Sequence, residues 1–149
     1  MDAENTFRVF DRLWTSGQLS EQDIRSLPGM GIDVVVNLAL PTSSNALPGE
    51  AELVTALGLT YIQIPVEWER PKRDQFTQFA AVLKANGDRG VWVHCAKNMR
   101  ASAFVYLYRR IVRGDDEQAA SFPMREVWTP DGVWRALIDD LLAGRERPN

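Results

Sequence analysis

Two apolar runs constrain most of what this chain can become: Val34-Val35-Val36 within Ile32–Leu38, and Val91-Trp92-Val93 just ahead of His94. Neither alternates with polar residues. A strand with one wet face must alternate, so an unbroken run of this kind reads as a strand buried on both faces. Such strands belong to parallel sheets covered by helices on either side. The second run passes through a short turn into Ala101-Ser102-Ala103-Phe104-Val105-Tyr106-Leu107-Tyr108, which reads as a largely buried helix. The turn holds Cys95, the single Cys, next to His94, the single His, with Lys97 and Arg100 following.

The rest of the chain supplies the partners that those runs need. Phe7–Phe10 and Leu13–Thr15 read as two short strands or an irregular arm. Ser20 caps a helix with Glu21 and Asp23 in its first turn, and Pro28–Gly31 ends it. Pro41–Pro48 is a polar loop. Glu50–Leu57 is a helix closed by Gly58, and Leu59–Ile64 is a strand. After the loop Pro65–Pro71 comes a helix over Asp74–Ala85, with Phe76, Phe79, Ala80 and Leu83 on one face. Arg109, Arg110 and Arg113 suit the end of the central helix, and Gly114 stops it. Asp115–Met124 reads as one short helix. Asp131 opens a last helix, Gly132–Leu142, with Val133, Leu137 and Leu141 as its inner stripe, and Arg145–Asn149 reads as a tail. Trp128 and Trp134 read as core. Strands alternating with helices give an α/β fold, a mostly parallel central sheet with helices on both faces, and the 149 residues make one domain.

A turn from strand into helix aims the first free backbone N–H groups of the helix at one point, and the helix dipole adds positive potential there. The turn is therefore an anion site. The same donors favour a thiolate at Cys95, and Arg100 adds a planar fork suited to a tetrahedral oxyanion. A lone Cys is most often an inert core residue; its place at this turn, beside the lone His, argues for a nucleophile.

His94-Cys95, a short loop, Arg100 and a helix resemble the active-site loop of the cysteine-dependent protein phosphatases, tyrosine and dual-specificity. Leu13-Trp14-Thr15-Ser16-Gly17-Gln18-Leu19, the strand ending Val36-Asn37-Leu38, and Tyr61–Val66 followed by Pro71 resemble, in the same order, small bacterial proteins of the dual-specificity type. That family has Cys, five residues, Arg, then Ser or Thr. Here four residues separate Cys95 from Arg100, and Ala101-Ser102 follow. Either the loop is one residue shorter and Arg100 binds phosphate, or Ala101 stands at the Arg position and Ser102 keeps the hydroxyl. The resemblance implies hydrolysis of phosphate monoesters on a phosphorylated protein or small molecule through a Cys95 phosphocysteine, with phosphate held by Ala96, Lys97, Asn98, Met99, Arg100, Ala101 and Ser102. It implies that His94 orders the loop, that Asn98 stands where Gly is usual, and that no metal or other cofactor is needed. The family takes its acid from an upstream loop; Glu67 matches that position, with Glu69 second. Two rivals remain. The shorter spacing also resembles the rhodanese sulfurtransferases, which would carry a persulfide on Cys95. A loop that kept its anion cradle without turnover would make a phosphate-binding module.

A net charge of -3 argues against a nucleic-acid partner. No apolar run approaches the roughly 18 residues that a membrane span needs, and the polar start Met1–Asn5 is unlike a secretory leader, so a cytoplasmic protein is expected.

Overall fold

A computed structural model describes residues 1–146, with side chains through residue 144; Arg147–Asn149, most of the expected tail, lie outside the described residues. Five strands form one sheet: β1 Phe7–Phe10, β2 Leu13–Ser16, β3 Ile32–Asn37, β4 Thr60–Gln63 and β5 Gly90–His94. Their spatial order is β1-β2-β5-β3-β4. Only β1 runs antiparallel to its neighbour, so the arm at the start of the chain is a pair of strands. β5 is central, and the carboxyl ends of β2, β3 and β5 meet, with Ser16 and Asn37 both in register with His94.

The helices are α1 Glu21–Ser26, α2 Glu50–Ala56, α3 Arg73–Ala85, α4 Met99–Tyr108, α5 Glu117–Ala120, α6 Met124–Val127 and α7 Gly132–Glu146. They cover both faces. Val34, Val36, Val91 and Val93 point to a core shared with α3, α4 and α7. Val35 and Trp92 point the other way, toward residues of α1 and α2. Side chains alternate across a strand, so an unbroken apolar run is what a strand between two cores requires. Trp92 is fully buried and stacks on Trp14, its register partner, at 5.1 Å and 4°.

Ser20 caps α1 as a reciprocal box: its hydroxyl accepts the Asp23 N–H at 3.0 Å, and Asp23 accepts the Ser20 N–H at 3.1 Å. After Tyr108 the backbone widens into a π-helical turn, Arg109–Arg113, and Gly114 leaves it in the left-handed region at φ 76°. Arg109 is more than a helix end: it is buried, donates to Asp115 and to the Phe122 carbonyl, and lies over the Phe10 ring. The helix expected over Asp115–Met124 covers only Glu117–Ala120; Pro123, which has no N–H to donate and whose ring crowds the preceding turn, stands just ahead of a second short helix that starts at Met124. The inner stripe of α7 is Trp134, Leu137, Ile138 and Leu141; Val133 is 49% exposed and lies off it. Among the described residues no helix is long and apolar enough to cross a membrane.

Candidate active site

Cys95 follows the last residue of β5, and α4 begins at Met99. The thiol is buried, and the Ala101 N–H in the first turn of α4 points at Sγ from 3.5 Å. Arg100 is also buried; its Nη1 donates to the Val66 carbonyl at 2.9 Å. Cys95, Ala96, Lys97, Met99 and Arg100 line one cleft of about 230 Å³, closed on one side by Trp68. That is below the roughly 300 Å³ at which drug-sized sites begin, so the cleft suits a small group. A depression of about 280 Å³ that also touches Ala96, between Asp2, Glu4, Gln18 and Asn45, has neither Cys95 nor Arg100 in its lining.

The loop keeps its shape through bonds on its outer side. The Ala96 carbonyl accepts Gln18 N–H and Asn45 Nδ2, both at 3.0 Å. The Lys97 carbonyl accepts Asn5 Nδ2 at 3.0 Å. In a trans peptide the N–H points opposite to the C=O, so fixing the Ala96 carbonyl outward turns the Lys97 N–H the other way. Asn98 takes the left-handed turn at φ 71°, a conformation that Asn tolerates better than most residues. Its Nδ2 donates to Asn5 O at 2.7 Å and to Thr15 Oγ1 at 3.0 Å. Gly17 runs beside the loop so closely that a Cβ there would lie 2.8 Å from the Ala96 oxygen.

The remaining candidates stand further out. The Ser102 hydroxyl donates to Met99 O at 3.1 Å, the backbone bond open to a Ser at a helix start. Asn98 is fully buried and faces the N-terminal arm. Glu67 is half-exposed, and its carboxylate accepts Arg70 Nε at 2.7 Å; Glu69 is exposed. Trp68, between them, is 42% exposed on the cleft side and packs on Trp128 at 5.2 Å and Trp134 at 5.7 Å. The two tryptophans expected as plain core therefore back the wall of the cleft, and Trp134 Nε1 donates to Trp68 O at 2.8 Å.

Sequence reasoning missed Glu50. His94 is fully buried; its Nε2 lies 2.7 Å from Glu50 Oε2, and its Nδ1 lies 3.3 Å from the Cys95 carbonyl. Glu50 Oε1 accepts Gln18 Nε2 at 2.6 Å. Burial pushes the Glu50 carboxyl up, but the hydrogen bond and charge of His94, with hydrogen bonds from Gln18 and Tyr61, outweigh it and hold the group below its ordinary value. Burial, with the nearby Glu50 charge, pushes the Tyr61 phenol up to about 12 against a bond from Asn37. No signal near residue 50 marks this role: Glu50 has the form of any acid in the first turn of a helix.

Fold and loop together define a cysteine-phosphatase-like domain. The chain belongs to the family described as DSP-PTPase phosphatase fused to NAD+ kinase, whose model matches residues 2–135. A DUF442 protein of Shewanella putrefaciens CN-32 is 32% identical, with 98% of this chain and 96% of that one aligned at a TM-score of 0.86. TpbA of P. aeruginosa, solved in complex with phosphotyrosine, shares the fold at 19% identity, 97% and 91% coverage and a TM-score of 0.71. PTPMT1, solved in complex with PI(5)P, does so at 12% identity, 95% and 97% coverage and a TM-score of 0.80. The curated proteins contain no match.

Proposed function

We propose that the protein hydrolyses phosphate monoesters through a phosphocysteine on Cys95. The observation that carries this reading is the buried thiol receiving the Ala101 N–H at the foot of α4, in one cleft with Arg100. Of the two alignments, the shorter loop is supported by the place of Arg100 in the lining of the Cys95 cleft, which suits it to be the phosphate-binding arginine. With Nη1 tied to Val66 O, its other nitrogens serve the phosphate oxygens together with the loop amides.

In the first step the Cys95 thiolate attacks phosphorus, the S–P bond forms, and the ester P–O bond breaks. Glu67 gives its proton to the leaving oxygen. Water then attacks the phosphocysteine with Glu67 as base, the S–P bond breaks, and phosphate and the thiolate are released. Arg100 holds the carbonyl of Val66, the residue next to Glu67, so the acid-bearing loop is tied to the phosphate-binding arginine. Release of Glu67 from Arg70 brings the acid into play. No metal or other cofactor takes part. The substrate is a phosphorylated protein or small molecule, in keeping with the phosphotyrosine and PI(5)P held by TpbA and PTPMT1. A reducing compartment, the cytoplasm, keeps the single thiol free.

Hydrolysis of p-nitrophenyl phosphate tests the reading. Activity lost in Cys95→Ser supports it. Absence of activity, with transfer of sulfur from thiosulfate to cyanide dependent on Cys95, would transfer the loop to the sulfurtransferase reading. Absence of both, with phosphate still bound, would leave a binding module.

A further inference from the structure

Glu50 occupies the first position of α2 and is 5% exposed. Carboxylates are among the side chains least often enclosed, and an enclosed one needs partners for its charge. Glu50 has them from separate parts of the fold. Gln18 comes from the segment after β2, Tyr61 from β4 and His94 from β5. Tyr61 in turn accepts Asn37 Nδ2 at 3.0 Å from the end of β3. Two of these partners touch the loop: Gln18 donates its backbone N–H to the Ala96 carbonyl at 3.0 Å, and the His94 ring lies against the Cys95 carbonyl. His94 has Glu50 at one ring nitrogen and the Cys95 carbonyl at the other, so carboxylate, imidazole and the peptide of the nucleophile stand in a row.

We propose that Glu50 is a positioning residue of the phosphate loop, fixing the His94 ring and through it the Cys95 peptide beneath the Ala101 N–H. The proposal rests on the phosphatase reading, which supplies the turnover that Glu50 modulates. A carboxylate at 2.7 Å requires N–H, not C–H, at the Nε2 position, so it selects one orientation of a ring that would otherwise fit two ways round. On the far side the His94 carbonyl accepts Leu38 N–H at 2.8 Å, so backbone and ring are both held. Without the carboxylate the ring is free to turn, and the Cys95 carbonyl loses its neighbour. The amides then lose register with the phosphate oxygens. Charge on those oxygens develops toward the transition state, so a loosened loop lowers kcat more than it raises KM.

The test uses Glu50→Gln and Glu50→Asp, each first checked for folding by thermal denaturation. With p-nitrophenyl phosphate, Glu50→Gln should lose on the order of tenfold in kcat, as loss of the outer partner of a ligating imidazole does, with KM changed by less than about twofold. Glu50→Asp, which keeps the charge, should recover part of the loss. A second readout needs no turnover: Cys95 alkylation by iodoacetamide at pH 7 should slow by about threefold or more in Glu50→Gln, because the thiolate loses its fixed donor. A folded Glu50→Gln protein with kcat and alkylation rate both within about twofold of the parent overturns the proposal. If the parent protein hydrolyses no ester, the phosphatase reading fails by itself. The alkylation rate then decides on Glu50 alone: unchanged, it overturns the role, and slowed, it upholds it. Should Glu50→Gln fail to fold, Tyr61→Phe removes one donor from the carboxyl and is judged by the same two measurements.

Discussion

The loop that carries Cys95 and the loop that carries Glu67 border one cleft, and they are held differently. Cys95, Asn98 and Arg100 are buried, and the carbonyls of residues 95, 96 and 97 each face a side-chain partner. The Pro65–Pro71 loop is tied at its backbone, by Arg100 to Val66 O, by Trp134 to Trp68 O and by Gln75 to Pro65 O, while the Glu67 carboxylate is half-exposed and held by the exposed Arg70. The half proposed to supply the nucleophile and the oxyanion donors is thus pre-organised, and the half proposed to supply the proton is anchored but open. Fixed dipoles must stand ready where charge develops. An acid has to meet leaving groups of many shapes and exchange its proton with water, so exposure suits it.

The comparison breaks most visibly at Cys95. Cys95→Ser should lower p-nitrophenyl phosphate turnover by about 10⁴-fold or more while phosphate still raises the melting temperature. Loss of that thermal shift would mean that the thiol, not the amides, builds the cradle. Arg100→Ala should cost roughly 10²–10³ in kcat and also abolish the thermal shift, since it removes an oxyanion donor and the tether to Val66. On the open side, Glu67→Gln should cost roughly 10²-fold with an alkyl phosphate and much less with p-nitrophenyl phosphate, whose leaving group needs little protonation. Equal losses on both esters would move the acid elsewhere, with Glu69→Gln the next variant to assay.

The smallest effect concerns acid and base stability, read from urea midpoints against pH. The Glu50 carboxyl is held below its ordinary 4.5 in the folded chain, so its contribution is complete above that value and fades as pH falls through the folded one. Glu50→Gln should flatten that acid limb. Tyr61 behaves in the opposite sense. Its phenol, raised to about 12 from 10.0, ionises first in the unfolded chain, so stability falls as pH rises across that interval, and Tyr61→Phe should remove the fall.

How much could be read beforehand follows from how local each feature is. The central sheet was legible because a strand between two cores cannot hide its composition: Val34–Val36 and Val91–Val93 have no polar break. The strand, turn and helix around Cys95 were legible because their parts are consecutive. Glu50 was not, since its partner His94 lies 44 residues away and only the meeting of α2 with the end of β5 joins them. Asn5 was invisible for the same reason, across 93 residues to Asn98. Trp68 was not legible either: it lines the cleft with Cys95 while packing on Trp128 and Trp134, from the far end of the chain. The stripe of α7 was misplaced by one residue at its start, where Val133 and Trp134 are adjacent and apolarity alone does not say which faces inward.

The N-terminal arm changes what counts as the minimal working unit. Asp2 and Ala3 donate their N–H groups to Asp23, Glu4 O accepts Gly17 N–H, and Asn5 exchanges bonds with Lys97 and Asn98. None of the four residues Asp2, Ala3, Glu4 and Asn5 lies in a strand or helix. A chain shortened to begin at Thr6 would therefore keep every regular element and both cores almost whole, pass for native by circular dichroism, and still lack the brace of the Cys95 loop. Trimming by secondary structure would remove, unseen, part of the machinery.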